Sequence, residues 1–342
     1  MLEERKKQHL EIVLGGHGAS AGVGTGFEAI RFEHVALPEI NMSAIDISTY
    51  FLGRTLSAPF LVSSMTGGAE QAQKINHNIA IACEAVGIAF AVGSQRVALE
   101  TNSDWGMNRE LRRLAPSIPI LANIGAAQLN TGYGIDQALR AIEMIDADAL
   151  IIHLNPLQEA VQPEGDRNWI GLTEKIGLLS QSLHVPLVVK EVGSAVSPMV
   201  AEKLASFGVG IIDVAGAGGT SWAAVEAQRA TTVSEAAIAS AFVDWGQPTA
   251  FAISAIRKTL PDIFIIGSGG VRNGVDAAKA IRMGANLVGQ AASVLRSATL
   301  SPEAVADHFE VMSAQLRVAC FCTGSSNLAD LRIARLEATS YA

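Results

Sequence analysis

Cysteine is scarce. The 342 residues hold only Cys83, Cys320 and Cys322, too few and too odd in number for a disulfide framework, and the C-x-C lacks the second ligand pair of a zinc site. All three read as reduced and structural. Aromatic side chains make up 5% and charged ones 17%, against 49% apolar, which excludes disorder and fibre and describes an aliphatic-cored globular protein. Positive charge is also short. Lys plus Arg number 25 against 33 Asp plus Glu, a net charge of −8 and the wrong sign for neutralising nucleic-acid phosphates, so no nucleic-acid partner is expected. Any anionic ligand must be held by a few local cations. Long apolar runs are missing too: the longest, 79–92, is broken by Glu84 and is too short to cross a bilayer. The charged start, Met1 to Lys7, has no signal-peptide pattern. The expected location is cytoplasmic, with no membrane partner.

What is present is glycine, 32 residues of it, and a recurring unit. Short β-branched apolar runs at 59–63, 87–92, 118–122, 147–153, 185–190, 209–214, 263–267 and 285–289 alternate with amphipathic segments such as 69–86, 135–145, 198–207, 249–260 and 274–283. Strand-then-helix repetition predicts βαβ units on a parallel sheet. Roughly eight units close a (β/α)8 TIM barrel of about 250 residues. The expected organisation is one α/β barrel domain over 1–342, with an N-terminal extension (1–55) over the mouth, an insertion after the sixth strand (216–247) and a C-terminal helical tail (300–342). The stretch 15–26 is glycine-rich and expected to be mobile without a ligand. An open doubly wound sheet competes, because alternation alone does not show closure.

Barrels of this class do their chemistry at the C-terminal strand ends, and here those ends are polar. In order they read Ser64-Met65-Thr66-Gly67-Gly68, Gly93-Ser94-Gln95-Arg96, Asn123, His153 through Asn155 and Gln158 to Glu159, Lys190-Glu191, Gly216-Ala217-Gly218-Gly219-Thr220 and Gly267-Ser268-Gly269-Gly270-Val271-Arg272. Singly each is a turn; together they line one mouth. The two glycine loops fit a phosphate cup for a phosphorylated cofactor, since Gly-rich turns bring backbone N–H groups close to an anion, and plain tight turns are the bland alternative. Lys190, ending a Val/Leu strand, is partly desolvated and seeks an anion; a snorkelling structural lysine is its alternative. His153, Asn155, Gln158 and Glu159 offer a donor, two amides and one hard oxygen ligand suited to Mg²⁺; Glu159 could equally be an exposed acid opening a helix. Arg5, Lys6 and His9 share one helical turn as a cationic patch or a solvated face. Trp222 and Glu226 form an i, i+4 pair after the glycine cup, where an aromatic more often packs than reacts.

In combination these motifs resemble the type 2 isopentenyl-diphosphate isomerases, FMN-dependent barrels, from Arg5-Lys6-x-x-His9 to beyond Gly284. The resemblance implies that Ser64, Met65, Thr66, Ser94, Asn123, Lys190, Thr220, Gly270, Val271, Arg272, Ala291 and Ala292 hold FMN. It implies that Arg5, Lys6, His9, Ser94, Gln95, Arg96, His153, Asn155 and Gln158 hold the diphosphate substrate, and that Glu159 carries Mg²⁺. Catalytic roles fall to Gln158, Glu226, His153 and Lys190, with Gln158 and Glu226 as candidates for a proton relay. The implied reaction interconverts isopentenyl and dimethylallyl diphosphate on reduced FMN, with NAD(P)H as reductant, in a homo-oligomer, a tetramer or octamer. Lys7-Gln8, Ala215 and the stretch Gly289-Gln290-Ala291-Ala292 depart from the family's usual residues. The rival is an FMN-dependent oxidoreductase resembling hydroxy-acid oxidases, which needs a late His–Arg pair; His308 lies too far beyond the last strands to supply it. A non-enzymatic flavin- or phosphate-binding module is the third class, disfavoured by polar residues converging from nearly every strand.

Overall fold

The computed structural model describes residues 2–20, 22–65, 70–101 and 103–337. The eight apolar runs form β1 (Phe60–Val62), β2 (Ala89–Ala91), β3 (Ile120–Gly125), β4 (Ala149–His153), β5 (Leu187–Lys190), β6 (Ile211–Asp213), β7 (Phe264–Ser268) and β8 (Leu287–Gln290), all parallel and in sequence order. Closure is made by β8 on β1, pairing Val288 with Phe60, Gly289 with Leu61 and Gln290 with Val62. The open doubly wound sheet is thereby excluded.

These strands read as unbroken apolar runs because both of their faces are buried. Phe60, Val62, Phe90, Ile120, Ala122, Ile152, Val189, Ile212 and Ile265 belong to the large core shared with the surrounding helices. Leu61, Ala89, Ala91, Leu121, Ala149, Ile151, Val188, Ile211, Ile266 and Leu287 form a separate interior cluster. Phe51, from the antiparallel hairpin Thr49–Phe51/Arg54–Leu56, joins that interior and stacks on Phe264 at 5.0 Å between ring centroids. Since Phe264 opens β7, the hairpin plugs the N-terminal end of the barrel and the other end is left for a cavity. Side chains alternate with period two along a strand. Continuing the interior parity upward places Ser63, Asn123, His153, Lys190, Asp213, Ser268 and Gly289 above the apolar plug. Register aligns three of them side by side: His153 pairs with Lys190 and Lys190 with Asp213.

The helical segments form close to their expected limits: Glu70–Val86, Ile135–Ile145, Pro198–Ser206, Thr249–Thr259 and Gly274–Met283. Asn123, expected just after a strand, lies within β3. Ahead of the barrel lies α1 (Leu2–Leu14); between β6 and Thr249–Thr259 stand α2 (Trp222–Arg229) and Val233–Ser240; after β8 come Ala292–Leu300, α3 (Pro302–Cys322) and Leu328–Ile333. The stretch 15–26 was expected to be mobile, but its described residues are tied down. Ser20 N donates to Gly219 O at 3.1 Å, Ser221 N to Gly18 O at 2.7 Å, and Gly22 N to Asp244 Oδ1 at 2.7 Å.

The loops after β6 and β7 pack backbone against backbone. A Cβ on Gly216 would sit 2.5 Å from Thr249 Cα and one on Gly219 2.7 Å from Gly270 N, while Gly269, at φ 110°, faces the Gly216 backbone. Gly269→Ala is expected to lower stability by roughly 1–3 kcal/mol, seen as a lower urea midpoint with an unchanged m-value.

Candidate active site

A cavity of about 500 Å³ opens at the C-terminal end of the strands. Its floor is the polar row that strand parity places there: Ser63, Asn123, His153, Lys190, Ser268 and Gly289. Lys190, 7% exposed, has an anion within the protein, for its Nζ lies 3.3 Å from Asp213 Oδ2 while Ser268 Oγ donates to the other oxygen of the same carboxylate. Asp213 was not anticipated from sequence, although its register beside Lys190 is a signal that could have found it. His153 Nδ1 lies 2.7 Å from Asn123 Oδ1. An amide oxygen only accepts, and Asn123 Nδ2 is directed to Val92 O, so the proton sits on Nδ1 and Nε2 is left as an acceptor. Burial, with the like charges of Lys6 and Lys190, pushes His153 down to about 3; the ring is neutral at ordinary pH.

The second wall is α1, which contributes Lys6, His9, Leu10 and Val13 to the cavity. The solvated-face alternative for this patch fails: His9 is 6% exposed, donates from Nε2 to Glu226 Oε1 at 2.9 Å, and sits edge-on to Trp222 at 5.0 Å. Glu226, 3% exposed, also accepts from Gln158 Nε2 at 3.0 Å and pairs with Arg229, which in turn holds Gln8. The Gln162 amide, oriented to satisfy both of its ends, donates to Glu226 Oε1 and accepts from Arg5 Nη1 at 2.9 Å. Burial alone would raise the Glu226 carboxyl, but His9, Gln158 and Arg229 hold it below the ordinary carboxylate range. Lys6 is lowered to about 8 by burial and by the Arg5 and Arg96 charges, against Glu159 and Glu226.

Not every expected residue reaches the cavity. Ser64, Met65, Ser94, Gln158, Thr220, Gly270, Val271, Arg272, Ala291 and Ala292 line it, together with Trp222 and Gly193, which sequence reasoning had not assigned to a ligand. Thr66 lies outside the described residues. Gln95 turns away: it is fully buried, donating to Ala141 O and accepting from Asn123 N at 2.9 Å each, so it braces β3 where substrate contact was expected. Arg96 is engaged by Glu100 and Asp166 at 3.0 Å each and does not line the cavity. Arg5 and Asn155 do not line the cavity, and Asn155 Nδ2 donates to Glu159 Oε1 at 2.9 Å. Glu159 is 7% exposed and accepts from Asp166 N at 2.7 Å, so it is no exposed acid opening a helix.

Two ligands can be tested against these groups. For a flavin phosphate, both glycine loops line the cavity through Gly216, Gly218, Gly219, Gly269 and Gly270, and the buried hydroxyls of Ser63 and Ser64 have no partner among the described residues; the residues fit. For Mg²⁺, no cluster of three His, Cys, Asp or Glu exists among the described residues. The buried Asn155 Oδ1 has no partner among the described residues, and with the neighbouring Glu159 it offers two hard oxygens, which suits an ion that takes its other ligands from water and phosphate. His308 does not reach the cavity, yet it is not remote either, since its Nε2 lies 2.7 Å from Gln290 Oε1 at the end of β8.

A neutral buried histidine makes stability depend on pH. Burial, outweighing the Glu226 carboxylate, lowers His9 from 6.5 to about 4. The unfolded chain therefore takes up this proton first, and stability is intact above pH 6.5 and lost as pH falls towards 4, by about 3 kcal/mol. Urea midpoints measured across that range should fall, and His9→Gln, which keeps a donor but does not titrate, should make the profile shallower, with His153, lowered to about 3, supplying the slope that remains.

Residues 157–338 match the family model described as FMN-dependent dehydrogenase. Over 335 residues the chain is 60% identical to isopentenyl-diphosphate delta-isomerase of Stutzerimonas stutzeri (strain A1501), covering 98% of this chain and 97% of the relative. It is 48% identical over 327 residues to the enzyme of the same name from Synechocystis sp. (strain ATCC 27184 / PCC 6803 / Kazusa), with 96% and 93% covered. Among solved structures it is similar to a flavocytochrome b2 mutant with pyruvate bound (TM-score 0.69, 16% identity, covering 96% of this chain and 82% of that one) and to a mandelate oxidase (TM-score 0.67, 15% identity, 98% and 97%). At that identity the structural likeness shows the barrel fold alone. Identity near one half or above along almost the whole length, joined to the FMN-dependent family model, means that the chain belongs to the FMN-dependent, type 2 isopentenyl-diphosphate delta-isomerases.

Proposed function

We propose that this chain interconverts isopentenyl and dimethylallyl diphosphate by a 1,3-allylic proton shift, using reduced FMN and Mg²⁺, with NAD(P)H as the reductant. The observation that carries the reading is the convergence on one cavity of a glycine phosphate cup, a buried lysine and a second cation-bearing wall joined to Glu226 through His9. FMN, when bound and reduced, supplies an electron-rich ring and a ring nitrogen that exchanges protons. Ser64, Met65, Ser94, Asn123, Thr220, the Gly270–Arg272 loop and the Ala291-Ala292 pair would hold it, and Lys190, fixed by Asp213, would balance the negative charge of its reduced form. The glycine cup would take its phosphate.

The substrate diphosphate falls to the other wall. Lys6, with Arg5 and Arg96 behind it, supplies positive charge in an otherwise acidic protein, and His153 presents Nε2 to a hydroxyl or bound water. Glu159 with Asn155 would hold Mg²⁺ against the diphosphate. Between the two halves Gln158 faces the cavity and donates to Glu226, so a proton lost at the allylic carbon has a route to a carboxylate that is hydrogen-bonded yet desolvated. Trp222, Leu10 and Val13 give the same space apolar and aromatic walls, which exclude water from a developing tertiary cation and offer it a π face. The chain reads as one barrel domain with α1 over the mouth and α2 in the insertion. The reading includes a cytoplasmic location and a tetramer or octamer, the oligomer resting on the family resemblance; among the described residues no helix is long and apolar enough to cross a membrane.

The rival oxidoreductase needs a late histidine beside an arginine. Arg272 lines the cavity, but the histidines there are His9 and His153, from α1 and β4, so that pair is missing among the described residues.

Substrate and product share one oxidation level, so reductant should prime the site without being consumed. Anaerobic assays should yield many products per dithionite or NAD(P)H equivalent, with solvent deuterium in the product; one-to-one consumption without deuterium would place the chain among the oxidoreductases. Lys190→Ala should lower FMN retention and turnover together, as read by absorbance after gel filtration. Glu159→Gln should leave the flavin spectrum intact while raising the Mg²⁺ concentration needed for half-maximal rate; a bleached protein would refute the metal role.

A further inference from the structure

We infer that His308 and Gln290 are positioning residues for the phosphate end of the flavin site, a contact between α3 and the Gly270–Arg272 loop. The inference rests on the flavin reading above. Gln290 ends β8, is 3% exposed and joins three segments of the cavity. Its backbone oxygen accepts from Ser63 N at 2.7 Å, its Nε2 donates to Val271 O at 3.0 Å, and the chain continues from it into Ala291-Ala292. Val271 O can only accept, which settles the amide: Nε2 faces the loop and Oε1 faces His308, 2.7 Å away. The amide oxygen then requires a proton on His308 Nε2. A fixed polarity thus runs from α3 through Gln290 to the back of the loop.

The face of α3 that makes this contact is built for it. His308, Met312 and Gln315 follow i, i+4, i+7 spacing and share one side of the helix. Met312 Sδ lies 3.6 Å from Gln290 Nε2, Gln315 Oε1 accepts from Gly274 N at 2.7 Å, and a Cβ on Gly274 would fall 2.6 Å from Leu316 N, so the helix and the loop cannot separate without losing all of these. Asp276 Oδ2 holds Arg272 N at 3.1 Å. Residues 270–272 are therefore gripped on the side away from the cavity, with their other side facing it. The tail from 300 onward contributes to the site although none of its residues lines the cavity.

Riboflavin, which lacks the phosphate, separates this role from a merely structural one. The full-length protein stripped of flavin is titrated with FMN and with riboflavin by fluorescence quenching. Wild type should prefer FMN, and His308→Phe, which keeps a ring beside Phe309 but removes the donor, should weaken FMN about tenfold while moving riboflavin less than about twofold. His308→Gln, which restores an amide donor, should recover most of the preference. If His308→Phe does not fold, Gln290→Met reads the same difference from the other partner. Equal weakening of both flavins, or no change in either, would overturn the inference while leaving the flavin reading intact. A wild-type protein that bound neither flavin would instead overturn the proposed function itself.

Discussion

Strand parity governs this molecule. Because both faces of every barrel strand are buried, each residue belongs either to the layer against the helices or to the barrel interior, and a shift of one position would exchange the two sets. The interior set begins as an apolar plug sealed from below by Phe51 and ends in Asn123, His153, Lys190, Asp213 and Ser268. The change from apolar to polar along one file of side chains gives the barrel a closed end and a reactive end. Register then sets His153, Lys190 and Asp213 in neighbouring positions.

Buried charge is the second constraint, and it explains why an acidic protein can hold an anionic ligand. Lys190 is matched with Asp213, and Glu226 with His9, Gln158 and Arg229. A buried carboxylate left without such partners would be costly and would be protonated. The same contacts that keep Glu226 ionised fasten α1 and α2 to each other, so the electrostatic solution is also what places the N-terminal extension over the mouth. Burial and the neighbouring Arg5 and Arg96 charges disfavour the Lys6 ammonium, and a bound anion beside it would favour the charged form.

Much of the arrangement was legible beforehand. The eight runs, their alternation with helices and the two glycine loops follow from local pattern, and the helices begin and end within a residue or two of their expected limits. The cavity-lining places of Ser94, Asn123, His153, Gln158, Lys190 and Thr220 followed from knowing that strand ends in such barrels face one mouth. Gln95 and Arg96 occupy the same kind of position in sequence but point elsewhere, since a loop residue's direction is set by the turn that follows the strand and by the partner it finds, here Ala141 O and Asp166.

The amino-acid sequence by itself determined the repeating βα pattern and the kinds of group available at each strand end, for these depend on residues close together in the chain. Only the tertiary structure decided which of those groups meet. His9 finds Glu226 from 217 residues away, Ser268 reaches Asp213 on the neighbouring strand, and His308 reaches back from α3 to Gln290. Periodicity carries no record of such pairs, because they form when the barrel closes and brings distant strand ends and both terminal extensions to one side of it.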